Sequence, residues 1–182
     1  MHLTDLLSAQ SVAIQRSKSG EQPLDKHGAL DILSGLLATP RAARVSSTAG
    51  AAVTAGAASG DPPADALTKG EIEKVLLERE QLQSTGIGEG VAIPHGAMNQ
   101  LTGQVAALLI VPDGVDFAAI DERKVTIIFG VIGPKRATGE HLKTLARVSR
   151  LLRNPAFRDH LVAAETPESV YNLIASEEGE SR

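Results

Sequence analysis

With 182 residues, 42% of them hydrophobic, the chain is long enough for one well-packed domain. Its formal net charge of −4, with no basic stripe, argues against nucleic acid as a default partner. The absence of cysteine excludes disulfides, thiolate zinc sites and cysteine catalysis.

Phe117, Phe129, Phe157 and Tyr171 are the aromatic residues, so the core must be aliphatic. The start, Met1-His2-Leu3-Thr4-Asp5-Leu6-Leu7, lacks the basic end and long apolar run of a signal peptide. No apolar run approaches the length of a membrane span. These features predict a soluble, cytoplasmic protein with no direct membrane insertion.

In chain order, residues 3–7 read as a helical turn and Val12-Ala13-Ile14 as a short strand, followed by a polar turn over 17–22. Asp25 is placed to cap a helix to Ala38 whose Ala29, Leu30, Leu33, Leu36 and Leu37 share a face, with His27 toward solvent. Residues 39–66 are rich in Ala, Gly, Ser, Thr and Pro without sustained period, which predicts a flexible, low-complexity insertion. A helix over 69–83 follows, its apolar face marked by Ile72, Val75, Leu76 and Leu82. Arg79 falls on that face, either reaching the rim or held inward against an anion.

Gly86, Gly88 and Gly90 break the helical pattern, Val91-Ala92-Ile93 reads as a strand, and Pro94 stops it. His95 then stands on a defined loop, with Gly96 behind it removing a side chain so that another backbone or a ligand can come close. Residues 104–111 are a buried strand, Pro112-Asp113-Gly114 a turn, and 125–132 the strongest strand of the chain. Glu140 opens a helix to Leu152 with Leu142, Leu145, Ser149 and Leu152 as its inner stripe. Asn154-Pro155 breaks it, a short helix follows over 156–164, and Thr166-Pro167 starts a last helix through Ile174. Residues 177–182 are expected to fray. Strands with helices between and around them predict a single α/β layered domain, a central mixed β-sheet with helices on both faces.

The phrase Arg79-Glu80-x-Leu82, continued by Ser84-Thr85-Gly86-Ile87-Gly88-Glu89-Gly90-Val91-Ala92-Ile93-Pro94-His95-Gly96, closely resembles the phosphorylation-site signature of enzyme IIA domains of the bacterial phosphotransferase system. It is similar to the fructose/mannitol type, and within it to the nitrogen-regulatory branch. Phe117-x-Ala119-Ile120-Asp121 and Glu140-His141-Leu142 fit the same pattern. The resemblance covers about 3–38 and 67–175, and implies one IIA-like domain over 3–175 interrupted by the insertion at 39–66, which is longer than the family's usual connection.

The resemblance implies that His95 is the phosphoryl acceptor, through its ε nitrogen, that Arg79 contacts the phosphoryl group, and that His141 orients it or donates a hydrogen bond. Imidazole suits a carrier, because near neutral pH one nitrogen can attack while the other holds a proton. Ser84 and Thr85 are candidate phosphate donors or simply end the helix, and Gly86, Gly88, Gly90, Pro94 and Gly96 shape the loop. Glu80 either orients Arg79 or is a solvated carboxylate. Asp121 caps a turn, and His2 and His160 read as surface residues.

A metal site is the rival for two histidines, but no H-x-H, H-E-x-x-H or cysteine pair is present. No nucleotide or metal cofactor is implied. Two functions share the site. One is a phosphocarrier taking its group from an HPr-like protein and passing it on, as to an enzyme IIB. The other is a regulatory module whose phosphorylation state governs binding to target proteins in nitrogen or potassium metabolism.

Overall fold

Along residues 125–134 side chains alternate between two buried environments: Ile127, Phe129 and Val131 enter one apolar cluster, Ile128 and Ile132 the other. A strand buried on both faces requires covering layers on each side. The computed structural model describes residues 2–17, 22–39 and 67–180 and shows both layers. The expected insertion lies, from residue 40 on, outside these residues, as do positions 18–21 of the polar turn and the last two residues.

The strands are β1 (Val12–Ile14), β2 (Gly86–Gly88), β3 (Val91–Ala92), β4 (His95–Met98), β5 (Val105–Val115) and β6 (Val125–Pro134). The helices are α1 (Lys26–Ala38), α2 (Lys69–Leu82), α3 (Thr138–Leu151), α4 (Pro155–Ala163) and α5 (Pro167–Glu180). The sheet order is β1-β5-β6-β3-β2, with β4 also on β6. β5 and β6 are antiparallel, whereas β1 on β5, and β3 and β4 on β6, are parallel. The sheet is therefore mixed. Residues of α1 and α2 pack on one face and those of α3, α4 and α5 on the other, so this is the α/β layered domain expected.

The helix starts are chemically explicit. Asp25 accepts from the Gly28 N–H at 2.7 Å, and Thr68 and Glu71 form a reciprocal capping box on α2. Thr166 accepts from the Ser169 N–H at 3.2 Å, with Pro167 opening α5.

Several expectations need correction. Pro112-Asp113-Gly114 is not a turn: β5 runs through it, the ladder shifting register between Ile110 and Val115, with Gly114 at φ +77°. Leu82 is 83% exposed, so it does not belong to the buried face of α2, which is Ile72, Leu76 and Glu80. The inner stripe of α3 is His141, Thr144 and Val148, with Leu152 buried as expected just past its end, while Leu142 is 61% exposed and Leu145 only partly buried. The period is helical as predicted, but rotated by one residue so that His141 turns inward. Residues 177–180, expected in a frayed tail, continue α5, where Glu178 accepts from the N–H groups of Leu3 and Thr4 at 2.8 and 3.1 Å.

Candidate phosphoryl-transfer site

Pro94 interrupts a strand without ending it. Its carbonyl accepts from Val131 N–H at 3.0 Å, so β3 and β4 lie in line along one edge of β6. His95, expected on a loop after the strand, is thus the first residue of β4, paired with Val131. The proline supplies no donor, and the ladder resumes one residue later.

The His95 ring is half-buried and held at two points. Its Nδ1 lies 2.8 Å from the Ile93 carbonyl oxygen. A carbonyl can only accept, so in the neutral ring Nδ1 carries the proton and Nε2 the lone pair. Arg79 Nε donates to that Nε2 at 3.4 Å, while its Nη1 donates to the Gln83 carbonyl at 3.1 Å. Arg79 thus reaches the His95 ring from the end of α2.

His141 faces His95 from α3, the ring centroids 5.9 Å apart and the planes tilted by 49°. The backbone N–H of His141 already bonds the Ala137 carbonyl at 3.0 Å, because the helix begins at Thr138, two residues earlier than expected. Its contribution to the site is the imidazole alone. Gly133 makes room for that ring: a Cβ there would stand 2.9 Å from His141 Nδ1.

Burial is the largest cause holding the His95 imidazole below its ordinary value of 6.5. The Ile93 carbonyl pulls the other way, the Arg79 charge adds to the lowering, and Glu80 opposes it. His141 is lowered too, by burial first and then by the charge of His95. At neutral pH the site holds two uncharged rings beside one guanidinium, so a nucleophilic nitrogen and a fixed cation coexist.

The neighbouring loop is built by residues that do not reach the imidazoles. Ser84 Oγ donates to the Phe117 carbonyl at 2.7 Å and accepts from Gly86 N–H at 3.1 Å. Thr85 is buried, its N–H and hydroxyl both given to Glu80 at 3.0 and 2.5 Å. These hydroxyls serve the scaffold. In the hairpin between β2 and β3, Glu89 and Gly90 both have positive φ, +56° and +76°, the pattern of a type I′ turn. Asp121 accepts from Glu89 N–H at 2.8 Å and from Arg123 N–H at 3.2 Å, tying this turn to the next.

Glu80 is neither solvated nor bonded to Arg79. It is 8% exposed and accepts from Lys26 Nζ at 2.9 Å as well as from Thr85. Burial pushes its carboxyl upward, but the hydrogen bonds from Thr85 and Lys26 outweigh it and hold the group below its ordinary 4.5. A carboxyl lowered by folding contributes stability above its unfolded value, and that contribution is lost as pH falls through the folded one. Glu80→Gln is therefore expected to lower stability by about 1–3 kcal/mol at neutral pH and to flatten the acid limb of the stability curve below 4.5. Urea unfolding across pH measures both; an unchanged acid limb would remove Glu80 as its source.

Among the described residues no group of three or more His, Asp and Glu could hold a metal ion, and no helix is long and apolar enough to cross a membrane.

Residues 63–177 match the family model described as phosphoenolpyruvate-dependent sugar phosphotransferase system, EIIA 2. The chain belongs to this EIIA family. Both nitrogen-regulatory and sugar-specific members resemble this EIIA. A nitrogen regulatory protein of Bradyrhizobium diazoefficiens is 36% identical over 102 residues, 56% of this chain and 67% of that protein. A fructose-specific EIIA component of Haloferax volcanii is 32% identical over 100 residues, 55% of this chain and 65% of that one. In the crystal structure of nitrogen regulatory protein IIA-Ntr from Neisseria meningitidis the same fold recurs with a TM-score of 0.71 at 26% identity, covering 94% of this chain and 98% of that one.

The sequence alone brought forward His95, Arg79 and His141, and the fold does gather them. It did not bring forward Gly133 or Gln104 beside His141, since a polar residue opening an apolar run and a glycine ending one carry no distinctive spacing.

Proposed function

We propose that this EIIA is a phosphocarrier that accepts a phosphoryl group on His95 Nε2 from the phosphohistidine of an HPr-like protein and hands it on. The observation that carries the reading is the pair of contacts on one ring: Nδ1 on the Ile93 carbonyl, and Nε2 toward Arg79. The Nε2 lone pair attacks phosphorus, the donor's P–N bond breaks, and its electron pair returns to the donor imidazole. The proton stays on Nδ1, hydrogen-bonded to the Ile93 carbonyl, which steadies the positive charge of the newly phosphorylated ring. Arg79 neutralises the phosphoryl oxygens, and His141 donates a hydrogen bond to one of them. Onward transfer reverses these steps to the next acceptor, with phosphoenolpyruvate and enzyme I as the upstream source. No nucleotide or metal takes part, and the protein works in the cytoplasm.

The test is intact mass after incubation with phosphoenolpyruvate, enzyme I and HPr-type or nitrogen-type carriers. One acid-labile phosphoryl group, mapped to His95, is the expected result. No gain by folded protein with either carrier sinks the reading.

A second reading concerns destination. The resemblance to nitrogen regulatory proteins favours a regulatory output, in which the added charge alters binding to a target protein. Transfer from His95 to an enzyme IIB cysteine would support the sugar route. Partner affinity that changes on phosphorylation, without such transfer, would support the regulatory one.

A further inference from the structure

Two buried residues whose side-chain polar atoms lack partners, Gln104 and His141, flank one glycine beside the active-site histidines. Gln104 is 5% exposed, and neither its amide oxygen nor its amide nitrogen has a hydrogen-bond partner among the described residues. The same holds for Nδ1 of His141, a residue 9% exposed. The sheet brings them together. Val105 pairs with Ile132 on the antiparallel β5–β6 ladder, which sets Gln104 opposite Gly133. Gln104 Cγ and His141 Nδ1 lie 3.2 and 2.9 Å from the point that a Cβ on Gly133 would occupy. The amide nitrogen is two bonds beyond Cγ, and the space beside Gly133 is common to both side chains. Buried polar groups take partners that lie within reach.

We propose that Gln104 is a positioning residue for phosphoryl transfer: its side-chain N–H donates to His141 Nδ1 and fixes that ring as the Nε2–H tautomer. The inference rests on the phosphocarrier reading and deepens it. Burial keeps His141 neutral, so the ring has one proton to place. A phosphoryl group on His95 presents only acceptor oxygens, and a lone pair turned toward them would repel. With Nδ1 occupied by the Gln104 amide, Nε2–H is the group left for the cleft shared with His95. The two rings are then complementary. His95 carries its proton on Nδ1 and its lone pair on Nε2, while His141 carries its proton on Nε2. Gly133 is part of the device, because a side chain there would fill the space in which amide and imidazole meet.

Proton–nitrogen correlation spectra of the full chain, isotope-labelled and unphosphorylated near neutral pH, read the tautomers directly. The expected wild-type result is Nε2–H for His141 and Nδ1–H for His95. Gln104→Leu should leave His141 averaging between tautomers, and Gln104→Glu should drive it to Nδ1–H, since a carboxylate can only accept. Gln104→Leu should also slow phosphoryl uptake by about 10- to 100-fold, in kcat and not in the KM for the donor protein. A wild-type His141 found as Nδ1–H overturns the proposal even if no variant folds, and so does a Gln104→Leu tautomer unchanged from wild type. The expected tautomers in a wild type that takes up no phosphoryl group would instead place the failure in the phosphocarrier reading, and the positioning role would fall with it.

Discussion

His95→Gln is expected to take up no phosphoryl group, whereas Arg79→Ala is expected to take it up about 100- to 1000-fold more slowly, the usual cost of removing one preorganised donor. Glutamine keeps a side-chain N–H for the Ile93 carbonyl and the polarity of a half-buried position but has no nucleophilic nitrogen, so loss of uptake would not reflect loss of fold. Arg79 has two effects that separate in a pH profile. It neutralises phosphoryl oxygens, which sets the rate at every pH. Its charge also adds to burial in holding the His95 ring below 6.5, so the acid limb of uptake should lie below that value in wild type. Uptake falls as pH drops through the His95 value, because the protonated ring has no lone pair. Arg79→Ala removes one lowering cause, and its acid limb should move upward toward 6.5 while burial keeps part of the shift. Arg79→Lys should recover the position of the limb better than the rate, since an ammonium restores the charge but not the planar fork. Rapid-quench measurement of phosphohistidine across pH decides. An Arg79→Ala rate within tenfold of wild type would remove the arginine from the transfer step.

What the sequence revealed and what it concealed divide along physical lines. The strands at 104–111 and 125–132 were legible because a run buried on both faces must be apolar at every position, and that signal is local. The three residues of the site were legible through the pattern around Pro94-His95-Gly96 and Glu140-His141. The orientation of α3 was not. Leu142 looked like core, and His141 was placed at the site only through the resemblance; it is the position of the facing strand that shows the imidazole pointing inward. Likewise Pro112-Asp113-Gly114 has turn chemistry, yet β6 supplies a partner at Val125 for Val115, and the strand resumes past a bulge. Glu80 was read either with its neighbour Arg79 or as a solvated carboxylate, whereas its partners are Lys26, fifty-four positions away, and Thr85. Charges next to each other in sequence on a helix point in different directions, so contacts such as these depend on tertiary placement.

Gly96→Ala is expected to damage both stability and transfer, through a contact remote from the chemistry. A Cβ at Gly96 would overlap Cγ1 of Val75 and stand 3.4 Å from Ile132 Cδ1. Val75 belongs to α2, one turn before Arg79 and on the same side of the helix. A valine in a helix has essentially one comfortable rotamer, so the methyl cannot easily swing away and the helix must move. Overpacking of this kind costs about 1–3 kcal/mol. The same displacement carries the Arg79 guanidinium away from Nε2 of His95, and a shift of about 1 Å at a reacting group can cost on the order of 100-fold in rate. The missing side chain at Gly96 thus lets α2 seat against β4, and that seating sets the arginine at the imidazole. The double variant Gly96→Ala with Val75→Ala removes the overlapping methyl and should recover much of the rate lost in Gly96→Ala, although Val75→Ala alone stabilises nothing. Denaturant unfolding and phosphohistidine formation, measured on wild type, the two single variants and the double, separate the two effects. Recovery of rate without full recovery of stability would identify helix position as the cause. A Gly96→Ala protein as fast and as stable as wild type would show that α2 takes up the extra methyl without moving Arg79.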